Sequence, residues 1–216
     1  MNRPSMRIEL RVQIMLLLLL LLAFPTYSAS QNIHDIEHQW AVCQYQRQQS
    51  DEQIHCYNQL IALIRQSLTK DADNPTLNTL LAINLASLAG VEGGSSALGL
   101  IREAKDRIEH VITIDPHVLH NAPYVILGAL YYRAPSWPIS FGNNDKAKTL
   151  LKQAMKMNPN DLTTNYFYAD FLSKQGKKAE AIQILKQALK FKINPEYQLA
   201  DEGRKKDIRA LLNKLQ

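Results

Sequence analysis

The side chains able to do chemistry are few and scattered in this 216-residue chain. His34 and His38 stand four apart, with Asp35 and Glu37 between them. On a helix that spacing puts both imidazoles on one face, as a metal pair requires. The zinc-protease order H-E-x-x-H is absent, because the intervening run is DIE, and two ligands on a first helical turn are an incomplete set. They read as surface histidines. His117 and His120 lie beside Pro116 and Asn121 and read as turn residues. No G-x-S-x-G, phosphate loop or dinucleotide fingerprint occurs. No catalytic residue, metal site, cofactor or enzymatic activity is therefore expected.

Cys43 and Cys56 are the only cysteines, and they are centred on the Gln49–Ser50 junction. Ser50 with Gln53 has the form of a capping box opening a new helix. If residues 32–49 and 51–69 form a helical hairpin, the two sulfurs sit at similar heights above its turn. A disulfide there would staple the hairpin and contribute about 3 kcal/mol. Two free buried thiols are the alternative. Redox catalysis lacks its C-x-x-C.

The compartment this implies agrees with the N-terminus. Arg3, Arg7 and Arg11 precede an apolar stretch, Val12 to Phe24, which contains Leu16 to Leu22. Small and polar residues follow Pro25. This is the order of a secretory signal peptide over residues 1–30, cut after Ser30, with Ser28 and Ser30 as the small residues at the cleavage site. The run is shorter than the ~20 residues a bilayer span needs, though an uncleaved anchor is the rival reading. A periplasmic location follows as an expectation. The formal charge of +5 falls to +3 once Arg3, Arg7, Arg11 and Glu9 are set aside. The surplus lies mostly between Lys146 and Lys214, mixed with acids on helical faces, and reads as solvated surface rather than a nucleic-acid footprint.

Internal periodicity organises residues 31–216. Ala147, Leu151 and Ala154 recur 34 positions later as Ala181, Leu185 and Ala188, and Ala104, Ile108 and Val111 carry the same frame. Pro116 follows Val111 by five residues, as Pro159 follows Ala154. Steps of four and three put each triplet on one helical face, where the small residue admits a neighbouring helix and the proline ends the run. Asn74 before Pro75 fits an N-cap with proline at the first helical position.

These positions resemble the second helix of the tetratricopeptide-repeat (TPR) family. Tyr124, Leu127, Gly128 and Tyr131 resemble its first-helix order, as do Tyr168, Ala169 and Leu172 with Gly176 at the turn. The resemblance implies an all-α superhelical stack of antiparallel helix pairs in one domain. Its parts would be a hairpin at 32–70, repeats near 75–118, 119–161 and 162–195, and a capping helix near 201–215 with a polar outer face.

Two repeats are over-long between their paired helices. The excess is GVEGGSSALG (Gly90 to Gly99) in the first and APSWPISFGNND (Ala134 to Asp145) in the second. The family architecture would put both insertions on one edge of the stack. Glycines suggest a flexible first insertion, prolines a stiffer second. Trp137 and Phe141 on the second either tuck against the core or form a binding lip with aromatic anchors. The run WPISFGNNDKAKTLLKQAMKMNPND is similar to a group of bacterial exported TPR proteins, among them the component associated with periplasmic TRAP-type solute transport (TatT-like). That similarity implies a periplasmic solute-binding protein as partner.

TPR stacks bind through the concave face lined by their first helices. The family's inward positions correspond to Thr79, Tyr132, Arg133, Thr163, Tyr166, Asp170 and Ser173. Tyrosines with a few polar groups suit a peptide or a small polar ligand, although Arg133 and Asp170 could instead pair with each other. The expected function is a periplasmic adaptor for a protein or peptide partner. The alternative is a small-ligand carrier closed by the two inserted loops, and a more remote one an enzyme acting on envelope material. Membrane contact is expected only through an uncleaved leader.

Overall fold

The computed structural model describes residues 29–216, and side-chain surroundings from residue 33 onward. Apart from its last two residues, the expected leader lies outside them. The described part is a series of helices: α1 (Ala29–Tyr45), α2 (Ser50–Leu68), α3 (Pro75–Glu92), α4 (Gly94–Ile114), α5 (Val118–Arg133), α6 (Asn144–Met157), α7 (Leu162–Lys174), α8 (Lys178–Ala188) and α9 (Gln198–Leu215). Among the described residues no helix is long and apolar enough to cross a membrane.

Local chemistry sets the helix ends. Asn74, Asn143 and Asp161 each accept a backbone N–H from three residues on, at 2.9, 2.9 and 2.6 Å. Each satisfies a donor with no intrahelical partner, worth about 1 kcal/mol. Pro75 occupies the first turn of α3. Pro116 and Pro159 lie two residues beyond the ends of α4 and α6, where a ring without an N–H does no harm. The expected capping box at Ser50 does not form. Gln49 holds the N-cap position without a side-chain bond, and the Gln53 amide reaches back to the Cys43 carbonyl at 3.4 Å.

The repeated triplets are fully buried: Ala104, Ile108 and Val111 on α4, Ala147, Leu151 and Ala154 on α6, Ala181, Leu185 and Ala188 on α8. Neighbouring helices pack directly onto these faces, α3 on α4, α5 on α6 and α7 on α8. Burying each leucine contributes about 1.5–3 kcal/mol. Close approach needs small partners as well. A Cβ on Gly128 of α5 would stand 2.7 Å from Leu151 Cγ, inside contact distance.

The first insertion is not a loop. Gly90 and Gly99 lie inside helices, and the excess residues lengthen α3 and α4 to 18 and 21 residues. The run breaks at Gly93, and the consecutive positive φ values of Gly93 and Gly94, 64 and 63°, turn the chain at once. The second insertion is irregular and spans residues 134–143 between α5 and α6. At the start of α5, Leu119, His120 and Asn121 take left-handed φ values of 46, 56 and 66°, so the regular helix begins near Pro123. Asn158 secures that turn by donating to the His120 carbonyl at 2.8 Å.

Cys43 and Cys56 form a disulfide joining α1 to α2. Both residues belong to the hydrophobic core region, Cys43 fully buried and Cys56 packed against it. Replacing both with serine should lower unfolding stability by about 3 kcal/mol, since the loop is short. Urea denaturation of the oxidised protein against the double variant measures this, and the intact mass without reductant reports the bond.

Candidate partner-binding surface

The first and last helices meet. Tyr45 of α1 donates its hydroxyl to Asp207 of α9 at 3.0 Å, and its ring fills the space a side chain on Gly203 would need. His34 meets Tyr197, just before α9, edge-on with centroids 5.9 Å apart. Trp40 of α1 donates to Ser87 of α3 at 3.0 Å. On the other side, Arg204 of α9 is buried and lies over Tyr166 and Phe167 of α7, at 4.8 and 5.1 Å from the ring centroids. The chain's own α1 and α9 thus occupy part of the concave face expected to be open. The terminal helix α9 turns the apolar side of its amphipathic sequence, Ile208 and Leu212, into the core.

Of the nine residues singled out from sequence, four gather at one place. Asp170 accepts from the Tyr132 hydroxyl at 2.7 Å and from the Arg133 guanidinium at 2.7 Å, and Arg133 Nε donates to the Tyr132 oxygen at 3.1 Å. Ser173 follows one turn later and donates to the Asp170 carbonyl at 2.9 Å. Asp170 is mostly buried, with its side chain 12% exposed, whereas that of Arg133 is 44% exposed. Pairing between these two therefore occurs, at the boundary between core and solvent. Burial would push the Asp170 carboxyl up, but the hydrogen bond from Tyr132 and the Arg133 charge hold it below the ordinary value. Burial raises the Tyr132 phenol well above its usual range, so it remains a neutral donor.

Tyr166 is half-buried beside this group, in edge contact with Phe167 at 5.2 Å. Thr163 is half-buried at the opposite end of α7, near its start. Thr79 is not available to any ligand. It is fully buried, and its hydroxyl is spent on the Pro75 carbonyl of its own helix at 2.7 Å.

The loop aromatics part company. Phe141 folds back in edge contact with Tyr131 at 5.7 Å, with Lys105 over its ring at 5.7 Å. Trp137 stands 86% exposed and Ile139 63%. Gly142 makes the fold-back possible, since a Cβ there would strike the carbonyl oxygens of Ala134 and Pro135. Its N–H donates to the Pro135 carbonyl at 2.9 Å, closing the loop at its base.

Sequence reasoning missed Phe167, Lys174 and Arg204. Phe167 sits between two guanidiniums, Arg133 at 4.9 Å and Arg204 at 5.1 Å from its centroid. Lys174 lies over the Tyr132 ring at 5.0 Å. Phe167 was visible only as the middle of the aromatic run Tyr166, Phe167, Tyr168. Arg204 reads in GRKKDIR as one more solvated charge, and no local signal marks it as buried.

Two surface depressions, of about 500 and 330 Å³, lie elsewhere. The larger runs along α4 past Arg102, Arg107 and His110, and the smaller along the lysines of α6. Among the described residues no group of three or more His, Cys, Asp or Glu is arranged to hold a metal ion.

The fold these contacts define is an all-α helical-repeat stack of the TPR type. Residues 139–201, which hold the second helix of one pair and the whole of the next, match the tetratricopeptide repeat family. Among solved structures the chain is similar to a thermophilic TPR protein of Thermus thermophilus, with a TM-score of 0.55 and 21% identity over 87% of this chain and 90% of that one. It also aligns with kinesin light chain TPR-like repeats of Podosopora anserina, at a TM-score of 0.40 and 19% identity over 86% and 92%. For yeast Tom70 the values are 0.30 and 12% over 89% and 67%. No curated protein matches the sequence.

Asp170→Asn should cost about 1–3 kcal/mol at neutral pH, by weakening two charge-assisted bonds on a mostly buried group. The carboxyl's depressed folded pKa means that its contribution is present above the unfolded value, about 3.9, and is lost as pH falls through the folded value. Urea denaturation of both proteins at pH 7 and at pH 3 should therefore show a gap that narrows in acid.

Proposed function

We propose that this chain is an exported adaptor that binds a protein or peptide partner at the rim of its inner face, where the C-terminal ends of α5 and α7 meet. TPR-type stacks generally serve as protein-interaction scaffolds, and that much follows from the fold. The observation that carries the finer reading is the Arg133 cluster. A 44%-exposed guanidinium is held between Phe167 and Tyr132, at 4.9 and 5.5 Å from their centroids, with Lys174 beside it. Arginine and tyrosine are the residue types that dominate interface energetics, and here packing fixes their geometry before any partner arrives. Part of the inner face is taken up by α1 and α9, which favours engagement at the rim over threading of a groove.

The leader-like order of residues 1–30 supports a periplasmic location, and the resemblance of residues 137–161 to exported TPR proteins would make a periplasmic solute-binding protein the partner. A small-ligand carrier finds less support, because the first of its two enclosing loops is helical. Pull-down from a periplasmic extract tests the reading. The wild-type chain should retain one defined protein, and Arg133→Glu, checked for native helicity, should retain it about tenfold less or worse. Retention unchanged by Arg133→Glu would move the interface elsewhere. A solute that raises the melting temperature while no protein is retained would restore the carrier.

A further inference from the structure

The α5–α6 loop carries an exposed apolar tip that the adaptor reading does not use. From Ala134 to Asn144 the chain has no charged residue. Trp137, Pro138 and Ile139 form the tip, and both large side chains face solvent. The tip is held out by a firm base. Phe141 packs on Tyr131, Gly142 N–H bonds the Pro135 carbonyl at 2.9 Å, and Asn143 N–H bonds the Tyr131 carbonyl at 2.9 Å. The indole, 86% exposed, stands in solvent rather than in a pocket. Two large apolar groups held in water, with no charge to desolvate beside them, are suited to a soft apolar medium entered tip-first.

Charge supplies the second half. Residues 136–216 hold fifteen Lys and Arg against eight Asp and Glu, while residues 31–135 hold seven against eleven. The positive half begins at the loop. Arg133 ends the helix before it, Lys146 and Lys148 follow Asp145 in the first turns of the helix after it, and Lys174, Lys177 and Lys178 occupy the neighbouring α7–α8 turn, Lys177 with Glu180 3.8 Å away. That turn is on the same edge, because Lys174 lies over Tyr132, next to the last residue of α5. Along α6, Lys148, Lys152 and Lys156 recur at helical spacing on the exposed side, and none pairs with an acid among the described residues. Each cation near an anionic bilayer contributes about 1 kcal/mol, and indole rings settle at the headgroup boundary.

We propose that the Trp137–Pro138–Ile139 tip is an interfacial anchor that docks the folded chain onto an anionic lipid bilayer, with the flanking lysines set against the phosphates. The occupant is the membrane surface itself, reached independently of the leader. The contact is peripheral, needing only insertion of a loop tip. It is compatible with the adaptor reading, since Arg133 and Tyr166 lie at the rim below, and a docked stack would hold its partner close to the membrane.

Vesicle binding of the full chain tests this, using equal parts of phosphatidylglycerol and phosphatidylcholine against phosphatidylcholine alone. The chain has two tryptophans, so the emission of the wild type minus that of Trp137→Phe reports position 137 alone. On the anionic vesicles that difference signal should shift to the blue and be quenched by lipid brominated on its acyl chains. Trp137→Ala with Ile139→Ala should weaken binding about tenfold or more, and raised salt should weaken that of the wild type. Both side chains are exposed, so helicity should be unchanged. The proposal falls if the wild type does not bind, if the double variant binds equally well, as a leader-driven association would, or if Trp137 on vesicles stays open to an aqueous quencher. A Trp137 that is shielded only when a protein partner is added would also overturn it. Loss of partner retention in Arg133→Glu leaves this result untouched, so the two readings fail separately.

Discussion

The ring of Tyr45 stands where any side chain larger than hydrogen at position 203 would have to be. That single accommodation lets the last helix come against the first, and much of the remaining surface follows from it. With α1 and α9 in contact, part of the inward surface is covered, while Thr163 and Tyr166 stay half-buried and Arg133 reaches solvent. Ile36 of α1 and Ile208 of α9 are buried from opposite ends of the chain. A superhelical stack usually leaves that face free, because each repeat touches only its neighbours. Here the terminal elements reach across. The disulfide between α1 and α2 limits how far α1 can swing away, so the closure is held covalently at one side and by packing at the other.

The parts of this design that could be read from sequence are those set by local rules. The alanine–leucine–alanine triplets mark buried helical faces whatever surrounds them, and Asn74, Asn143 and Asp161 cap helices through bonds three residues long. The cysteine pair was legible because a turn between two helices fixes the heights of its flanking residues. What could not be read depends on contacts distant in sequence. The Tyr45–Asp207 bond spans 162 positions. Gly203 gave no sign of its purpose, since a glycine inside a charged helix looks like a weak point until its neighbour is known. The glycine-rich GVEGGSSALG misled for the opposite reason. Gly90 and Gly99 accept helical dihedrals at a modest cost when both flanking helices are long and packed, so composition suggested a loop where tertiary contacts extend two helices.

The second insertion shows how composition and geometry divide a pair that sequence alone joins. Trp137 and Phe141 are four residues apart on a segment with no helical path to place them on one face. Phe141 precedes Gly142, whose missing Cβ allows the backbone to fold against Ala134 and Pro135, and this turns the phenyl ring inward toward Tyr131. Trp137 lies on the far side of that closure, beyond the reach of any core. One residue is stabilised by burial and edge contact, and the other is left with its apolar surface in water.

Two groupings around Phe167 and Tyr166 share one chemistry and differ in one respect. In the first, Tyr132 and Arg133 both donate to Asp170; in the second, Tyr45 and Arg204 both donate to Asp207. Each trio carries one positive and one negative charge and a neutral phenol, and each guanidinium covers an aromatic face, so neither leaves a net buried charge. Exposure separates them. The Arg204 side chain is 9% exposed and lies under the joint between α1 and α9. Its orphaned Nε is a cost the packing must offset. It can change partners only if the stack opens. Arg133 is 44% exposed and can turn part of its donor set outward while Asp170 keeps its bond from Tyr132. The same three residue types thus make a fixed joint in one place and an adjustable surface in the other, and only the second can meet an incoming chain without unfolding.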